Sequence, residues 1–290
     1  MRPAPFDYVA PRTVEETLEL LARHGDEAKL LAGGQSLVPM MNMRLVRPAV
    51  LVDLNRVAAL GTFREDAGGL RLGALVRQHA LECDGRVARA APLLAEAAPL
   101  IGHLQTRARG TVGGSLVHAD PAAELPACMI ALDAVFHLRS ARTARTCRAD
   151  DFFRGLLTTA LEPDEVLAEI ELPGPAGPRT GHGFAEVARR HGDFALVGAC
   201  AVLALDAGGV CRAARLVIFG AGDRPHLARA GAALIGERPA PAHLAEVGRA
   251  GAGEIDAHDD LHATAAYRRH VAAGLAARVL GQAAARAEAA

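Results

Sequence analysis

Ala28-Lys29-Leu30-Leu31-Ala32-Gly33-Gly34-Gln35-Ser36-Leu37-Val38-Pro39 decides how the first part of the chain is read. Lys29-Leu30-Leu31-Ala32 is an apolar run of the length of a short buried strand, and it leads straight into Gly33-Gly34. Ser36 stands where a helix N-cap belongs, and the spacing predicts a helix over 37–45. Pro39 is tolerated in its first turn because the early amides of a helix have no intrahelical acceptor. Pro48 closes that segment, and Ala49-Val50-Leu51-Val52-Asp53-Leu54 reads as the next strand. Upstream, Val14, Leu18 and Leu21 recur at helical spacing over 14–24, with Thr13 as N-cap, Glu16 as its capping-box partner and Gly25 as the stop. Residues 1–55 thus form a small β–α–β unit with a diglycine at the strand-to-helix corner.

Working outward, Leu70 to Leu75 alternates like a strand, and helices are predicted over about 76–83 and 86–98. Gly110-Thr111-Val112-Gly113-Gly114-Ser115 then brings a second glycine turn. Leu125 to Leu132 is an apolar run, and strands are predicted over 135–138 and 166–172. Alternating proline and glycine in Pro173-Gly174-Pro175-Ala176-Gly177-Pro178 support neither regular structure, which places a domain boundary near residue 176. Beyond it, strands over 198–205 and 214–219 flank the turn Asp206-Ala207-Gly208-Gly209. Alanine-rich helices follow around 228–235, 242–250 and 265–280, and the tail from Gln282 is expected to fray.

Composition removes several function classes. Of 290 residues 51% are hydrophobic, enough for a sizeable core, and 22% are charged with a formal net charge of -1. That balance gives no basic surface for a phosphate backbone, and with no Trp, 2 Tyr and 8 Phe there is little aromatic surface for stacking bases, so nucleic acid is excluded as a partner. No signal peptide is visible, and apolar runs fall short of the roughly 18 residues of a membrane span, so the chain reads as not membrane-spanning and cytoplasmic. Five cysteines are scattered without a Cys-x-x-Cys pair, which leaves buried reduced thiols rather than a disulfide framework, a zinc site or an iron–sulfur cluster. Any electrons passing through such a chain need a bound organic cofactor.

The two glycine turns are the candidates for holding one. Glycine lets backbone amides approach an anion without a Cβ in the way, and successive amides at a helix start form a concave anion site. Each turn alone is also what any tight turn looks like; two of them, each with a hydroxyl residue, suit a diphosphate held between two subdomains by the amides of Gly33, Gly34, Gly113 and Gly114. Other motifs are weaker. Gly220-Ala221-Gly222-Asp223-Arg224-Pro225 has proline in place of the third glycine of a dinucleotide fingerprint and reads as a turn. His258 and His262, with Asp259 and Asp260 between them, lack the glutamate of a metalloprotease helix and read as a cap for the last helix. His118, Asp120 and Glu124 resemble an acid–base cluster, but holding the preceding loop or accepting hydrogen bonds from cofactor hydroxyls accounts for them as well. Ser36 and Ser115 read as capping residues. No catalytic residue and no metal ligand is assigned.

In their flanks the two turns resemble the FAD-binding subunit of xanthine dehydrogenase and carbon monoxide dehydrogenase-type molybdenum hydroxylases. Ala28 to Pro39, Arg44-Leu45 and Leu51-Val52-Asp53-Leu54 look like its first flavin motif. Arg109-Gly110-Thr111-Val112-Gly113-Gly114-Ser115-Leu116-Val117-His118-Ala119-Asp120-Pro121-Ala122-Ala123-Glu124-Leu125-Pro126 is similar to its second. Ala188 to Gly198 resembles the opening of its C-terminal domain, and Phe6-Asp7-Tyr8 and Tyr267-Arg268-Arg269 fit the two ends. The resemblance implies an α+β fold, with a two-subdomain FAD-binding (PCMH-type) domain over 1–176 (subdomains about 1–55 and 56–176) and a smaller C-terminal α/β domain over 177–290. It implies FAD contacts at Leu30, Leu31, Ala32, Gly33, Gly34, Gln35, Ser36 and Leu37, at Thr111, Val112, Gly113, Gly114 and Ser115, and at Ile101, Glu124 and Leu167. Phe194 is a candidate lid over the flavin, with Tyr8 the other candidate to cover it. One departure is Ala185, where xanthine dehydrogenase relatives carry a lysine. The resemblance further implies a molybdopterin-binding large subunit, a [2Fe-2S] small subunit, a dimer of heterotrimers and an electron-transfer role. A free-standing FAD-dependent oxidoreductase and a cofactor-free assembly protein of the same fold are the alternatives.

Overall fold

The computed structural model describes residues 2–66 and 68–290; Met1 and Ala67, within the expected first domain, lie outside the described residues. The chain opens with strand β1 (Asp7–Val9), helix α1 (Val14–His24), strand β2 (Ala28–Leu31), helix α2 (Leu37–Asn42) and strand β3 (Val50–Asp53). The strands pair in parallel in the order β1–β3–β2, which requires the crossover connections that α1 and α2 supply. Helix α1 begins where the pattern placed it, with the Thr13 hydroxyl accepting the Glu16 amide, and ends at Gly25 with φ 50°. Glu16, however, takes the amide of Arg12 rather than that of the cap itself. Helix α2 is shorter than the predicted 37–45 because Arg44 turns left-handed at φ 59°. Ser36 makes no side-chain cap bond, since its own backbone is already helical at φ -106°, ψ -50°.

The second subdomain contains β4 (Phe63–Asp66), β5 (Gly69–Gly73), α3 (Gln78–Cys83), α4 (Gly85–Ala90), α5 (Pro92–Ala97), α6 (Leu104–Arg109), α7 (Val112–His118), α8 (Glu124–Ala131), β6 (Val135–Arg139), β7 (Ala144–Arg148), α9 (Ala149–Phe152), β8 (Phe153–Gly155), β9 (Thr158–Thr159) and β10 (Val166–Pro173). Its antiparallel sheet runs β4–β5–β10–β6–β7, so the last strand in sequence fills the centre. The helix predicted over 86–98 is two helices: Ala91, ahead of Pro92, leaves the helical region at φ -143°, ψ 61°. Glycines 113 and 114 lie inside the first turn of α7 rather than in a loop, because Thr111 caps that helix.

After the Pro–Gly connection come β11 (Arg179–Ala188), β12 (Ala195–Leu205), β13 (Cys211–Phe219), β14 (His226–Leu227), α10 (Pro241–Gly253) and α11 (Ala265–Ala289). The strands form one antiparallel sheet in sequence order, and Gly220 to Pro225 is the β13–β14 connection, a turn as read. Strand β11 has no forecast in the sequence because Gly181 and Gly183 dilute its β-pattern. Those glycines let α11 lie directly on the strand: a Cβ at either would overlap the carbonyl oxygens of Ala283 or Val279. The tail does not fray as expected, since Ala283, Ala284 and Ala287 are buried against this strand and its neighbours. Thr264 caps α11 by accepting the Tyr267 amide, and Asp259 of the histidine stretch accepts the amide of Ala265, the first residue of the helix, at 2.5 Å.

Helix α8 joins the halves. All of its residues are buried, as expected for a helix that is apolar all round. One core unites Leu125, Cys128 and Met129 of α8 with Phe136 and Ile170 of the second sheet and with Phe184, Cys200 and Phe219 of the third. Among the described residues no helix is long and apolar enough to cross a membrane. Gly183→Val should displace α11 at the cost of about 2 kcal/mol of stability, read as a lower urea midpoint; an unchanged midpoint would mean that the close approach contributes nothing.

Candidate functional site

The two glycine segments touch. Where β2 ends, Gly33 lies so close to the α6–α7 junction that a Cβ on it would fall 2.5 Å from the Arg109 carbonyl oxygen and 2.7 Å from Gly110 Cα. Gly34 then turns the chain at φ 72°, a conformation that branched side chains avoid. The N–H groups of Gly33, Gly34, Gln35 and Ser36 find no acceptor among the described residues. Four successive unpaired donors ahead of a helix start constitute an anion cradle.

The second diglycine behaves differently, which corrects the expectation that amides from both turns converge on one diphosphate. Gly113 N–H donates to the Ala74 carbonyl at 2.8 Å, and Gly114 N–H to Thr111 Oγ1 at 3.0 Å. Val112 and Ser115 amides are likewise engaged, by Val76 and Thr111 carbonyls. Glycine is required here for packing: a Cβ on Gly113 would fall 2.5 Å from that of Ala74, and one on Gly114 2.6 Å from Thr111 Oγ1.

Arg77 fastens the two segments together. Its guanidinium donates to the Arg109 carbonyl at 2.5 Å and to Asn55 Oδ1 at 2.6 Å. Asn55 in turn donates to the Ala32 carbonyl at 2.9 Å and to Asp53, while the Tyr8 hydroxyl donates to the other oxygen of Asp53 at 2.5 Å. Tyr8 is thereby tied to the end of β3, and it does not line the cavity described next.

Between the segments opens a cavity of about 600 Å³, within the range of small-molecule sites. Of the residues proposed from sequence, Leu30, Ala32, Gly33, Gly34, Gln35, Ser36, Leu37, Ile101, Thr111, Gly113, Gly114, Ser115, Glu124 and Leu167 line it. Leu31 and Val112 do not. Strand alternation turns Leu31 away from the face that Leu30 and Ala32 share, and Val112 is fully buried in the core. The C-terminal part contributes Gly192, Asp193 and Phe194, and Leu157 comes from the β8–β9 hairpin. Gln78 and Thr106 also line the cavity; an isolated polar residue on a short helix gave no signal by which sequence reasoning could find them.

Acidic groups sit in and behind the wall. Glu124, only 3% exposed at the start of α8, has its carboxyl pushed up to about 7 by burial, with the charge of Asp120 adding to the effect. Glu186 on β11 is pushed up to about 8 by burial and by the charge of Glu124, and its Oε2 has no hydrogen-bond partner among the described residues. Asp120 accepts the Ala122 amide at 2.9 Å and so holds the loop after α7. The thiol of Cys128, one turn beyond Glu124, is raised by burial, so it is an inert core group like Cys200.

Residues 4–175 match the FAD binding domain in molybdopterin dehydrogenase, and residues 182–283 match the CO dehydrogenase flavoprotein C-terminal domain. The chain belongs to the FAD subunits of the molybdenum hydroxylase family. It is 38% identical over 285 residues to the 6-hydroxypseudooxynicotine dehydrogenase complex subunit alpha of Paenarthrobacter nicotinovorans, covering 98% of this chain and 96% of that one. The carbon monoxide dehydrogenase medium chain of Hydrogenophaga pseudoflava is 41% identical over 218 residues, 75% of each chain. A solved structure of carbon monoxide dehydrogenase from Hydrogenophaga pseudoflava superposes with a TM-score of 0.95 at 36% identity, covering 99% of both chains. Quinoline 2-oxidoreductase from Pseudomonas putida 86 gives 0.92 at 37% identity, again with 99% of both chains covered. The cofactor of this FAD subunit fits what is present: a row of amides unpaired among the described residues, suited to a diphosphate, and a cavity of about 600 Å³ lined by both glycine segments.

Gly34→Val places a branched side chain at a left-handed position beside Val38 and Leu31. It should leave purified protein with little flavin absorbance relative to protein absorbance, whereas full occupancy would count against the cradle. Glu186 gives a second prediction. Its folded carboxyl titrates near 8 against an ordinary 4.5, so between those values the folded state binds the extra proton. Stability from this group is therefore present at low pH and lost as pH rises through the window. Glu186→Gln should gain stability relative to wild type at pH 8 and show no such gain at pH 5, measured by urea midpoints; equal differences at both pH values would contradict it.

Proposed function

We propose that this FAD subunit transfers electrons within a molybdenum hydroxylase complex, taking them from [2Fe-2S] centres of a small subunit and delivering them to an external acceptor. A molybdopterin-binding large subunit would then attack the organic substrate, and the assembly would be a cytoplasmic dimer of heterotrimers. The observation that carries this reading is the cavity with its four unpaired amides, set in a chain whose relatives are named as complex subunits and medium chains. Bound FAD exchanges electrons singly or in pairs and so joins one-electron iron–sulfur centres to a two-electron acceptor.

The chain's own part is to bind and shield. The amides of Gly33 to Ser36 would take the diphosphate and Thr111 would add a hydrogen bond, with Leu30, Ile101 and Leu167 as apolar wall. Leu31 and Val112 belong to the proposed contact segments as backbone or supporting positions only. Domains of 1–176 and 177–290 accord with the matched ranges 4–175 and 182–283. Phe194 is 59% exposed yet lines the cavity, as a lid over the flavin ring would.

Phe194→Ala should accelerate loss of FAD or change the rate at which reduced flavin is reoxidised by several-fold; if both stay at wild-type values the lid assignment fails. Affinity purification of the tagged chain from its native host should bring down a molybdenum subunit and an iron–sulfur subunit in equal amounts. Recovery of the tagged chain alone, loaded with FAD and active on small molecules, would favour a free-standing flavoenzyme.

A further inference from the structure

The turn between β11 and β12 leaves the C-terminal sheet over residues 189–194 and comes to rest on the second subdomain. Gly192, near its tip, has φ 86°, a left-handed conformation. A Cβ on Gly192 would fall 2.7 Å from Cε1 and 2.9 Å from Nδ1 of His103, and 3.1 Å from the Gly102 carbonyl oxygen. The backbone of the turn therefore lies directly against the His103 ring. His191 adds its own ring, stacked on that of His103 with centroids 6.5 Å apart and planes 23° from parallel.

The loop that carries His103 is tied down from the other side. Buried Arg107 donates to the carbonyls of Ile101 at 3.1 Å and Gly102 at 3.2 Å, and its Nε donates to Glu82 of α3 at 3.0 Å. Gly102, Gly192, Asp193 and Phe194 line the cavity, whereas His103 does not. Phe194 is 59% exposed, so its own packing fixes it weakly.

We propose that His103 is a positioning residue whose ring seats the Gly192 turn and so sets Phe194 over the cavity that holds FAD. The side chain lies outside the cavity and acts through the turn. A connection of six residues between two strands has many conformations open to it, and ordering it costs entropy. Contact with a ring anchored on the other subdomain selects the conformation in which Phe194 faces the cavity.

This inference rests on the reading of Phe194 as a lid over FAD, and the experiment separates the two. The rate at which FAD leaves the holo-protein is followed by flavin fluorescence for the wild type, His103→Ala, His103→Phe, Phe194→Ala and the double variant His103→Ala/Phe194→Ala. The thermal midpoint of each apo-protein is recorded beside it. His103→Ala should lose FAD several-fold faster than the wild type, and His103→Phe, which keeps a flat ring, should return close to the wild-type rate. The double variant should lose FAD no faster than Phe194→Ala alone, the non-additivity of two residues acting through one contact. Apo midpoints should stay near wild type, because both histidine rings are exposed. An unchanged rate in His103→Ala, a His103→Phe rate as fast as that of His103→Ala, or effects that add in the double variant overturn the role of His103. So does faster loss matched by a lowered apo midpoint. A Phe194→Ala protein that keeps FAD as the wild type does overturns the lid reading, whatever His103→Ala does.

Discussion

The approach of Gly33 to the backbone of Arg109 and Gly110 brings into contact two turns from different subdomains, and the cavity exists because they can come that close. At 2.5 Å from the Arg109 carbonyl, the place of a missing Cβ leaves no room for any other residue. Arg77 fixes the geometry from the side, bonding to one turn directly and to the other through Asn55. A guanidinium suits this position because its fan of donors can satisfy two acceptors in fixed directions. With the turns locked, the amides from Gly33 to Ser36 are left facing open space, which is the condition for holding an anion.

The remaining wall depends on how the C-terminal sheet docks. Helix α8 is buried on every side and shares a core with Phe184 and Phe219, whose rings lie 5.8 Å apart. This seam sets the position of β11, β12 and the turn between them, and that turn delivers Gly192, Asp193 and Phe194 to the cavity. The same seam buries Glu124 and Glu186, and the charge of Glu124 adds to the burial that keeps Glu186 from ionising. A carboxyl pair that holds a proton at neutral pH carries less negative charge beside the cavity that Glu124 lines.

The C-terminal helix shows how packing can rest on small residues alone. Its face is largely alanine, which has little apolar surface to bury, so stability there requires the helix to sit unusually close to the sheet. Glycines in β11 permit that distance. Length and closeness compensate for small side chains.

Much of this was legible in local patterns. Helix α1, the strand–diglycine–helix corner, the Pro–Gly connection and the strands β6, β10, β12 and β13 all follow from periodicity, caps and turn residues, which act over a few positions. The candidate residues on the cavity wall were legible only through the resemblance of whole motifs. What sequence reading missed was decided at longer range. Strand β11 and the ordered alanine tail need each other and neither carries a local signal. The amides of Gly113 and Gly114 are consumed by Thr111 and by Ala74, and Ala74 lies in a segment whose proximity no spacing could reveal. His103 is ordinary as a letter and becomes conspicuous only when the Gly192 backbone is found against its ring. The sequence by itself determined the local elements and the two glycine turns, because backbone preference and hydrophobic period are properties of neighbours in the chain. Only the tertiary structure decided which amides stay free, because that depends on acceptors brought in from distant segments.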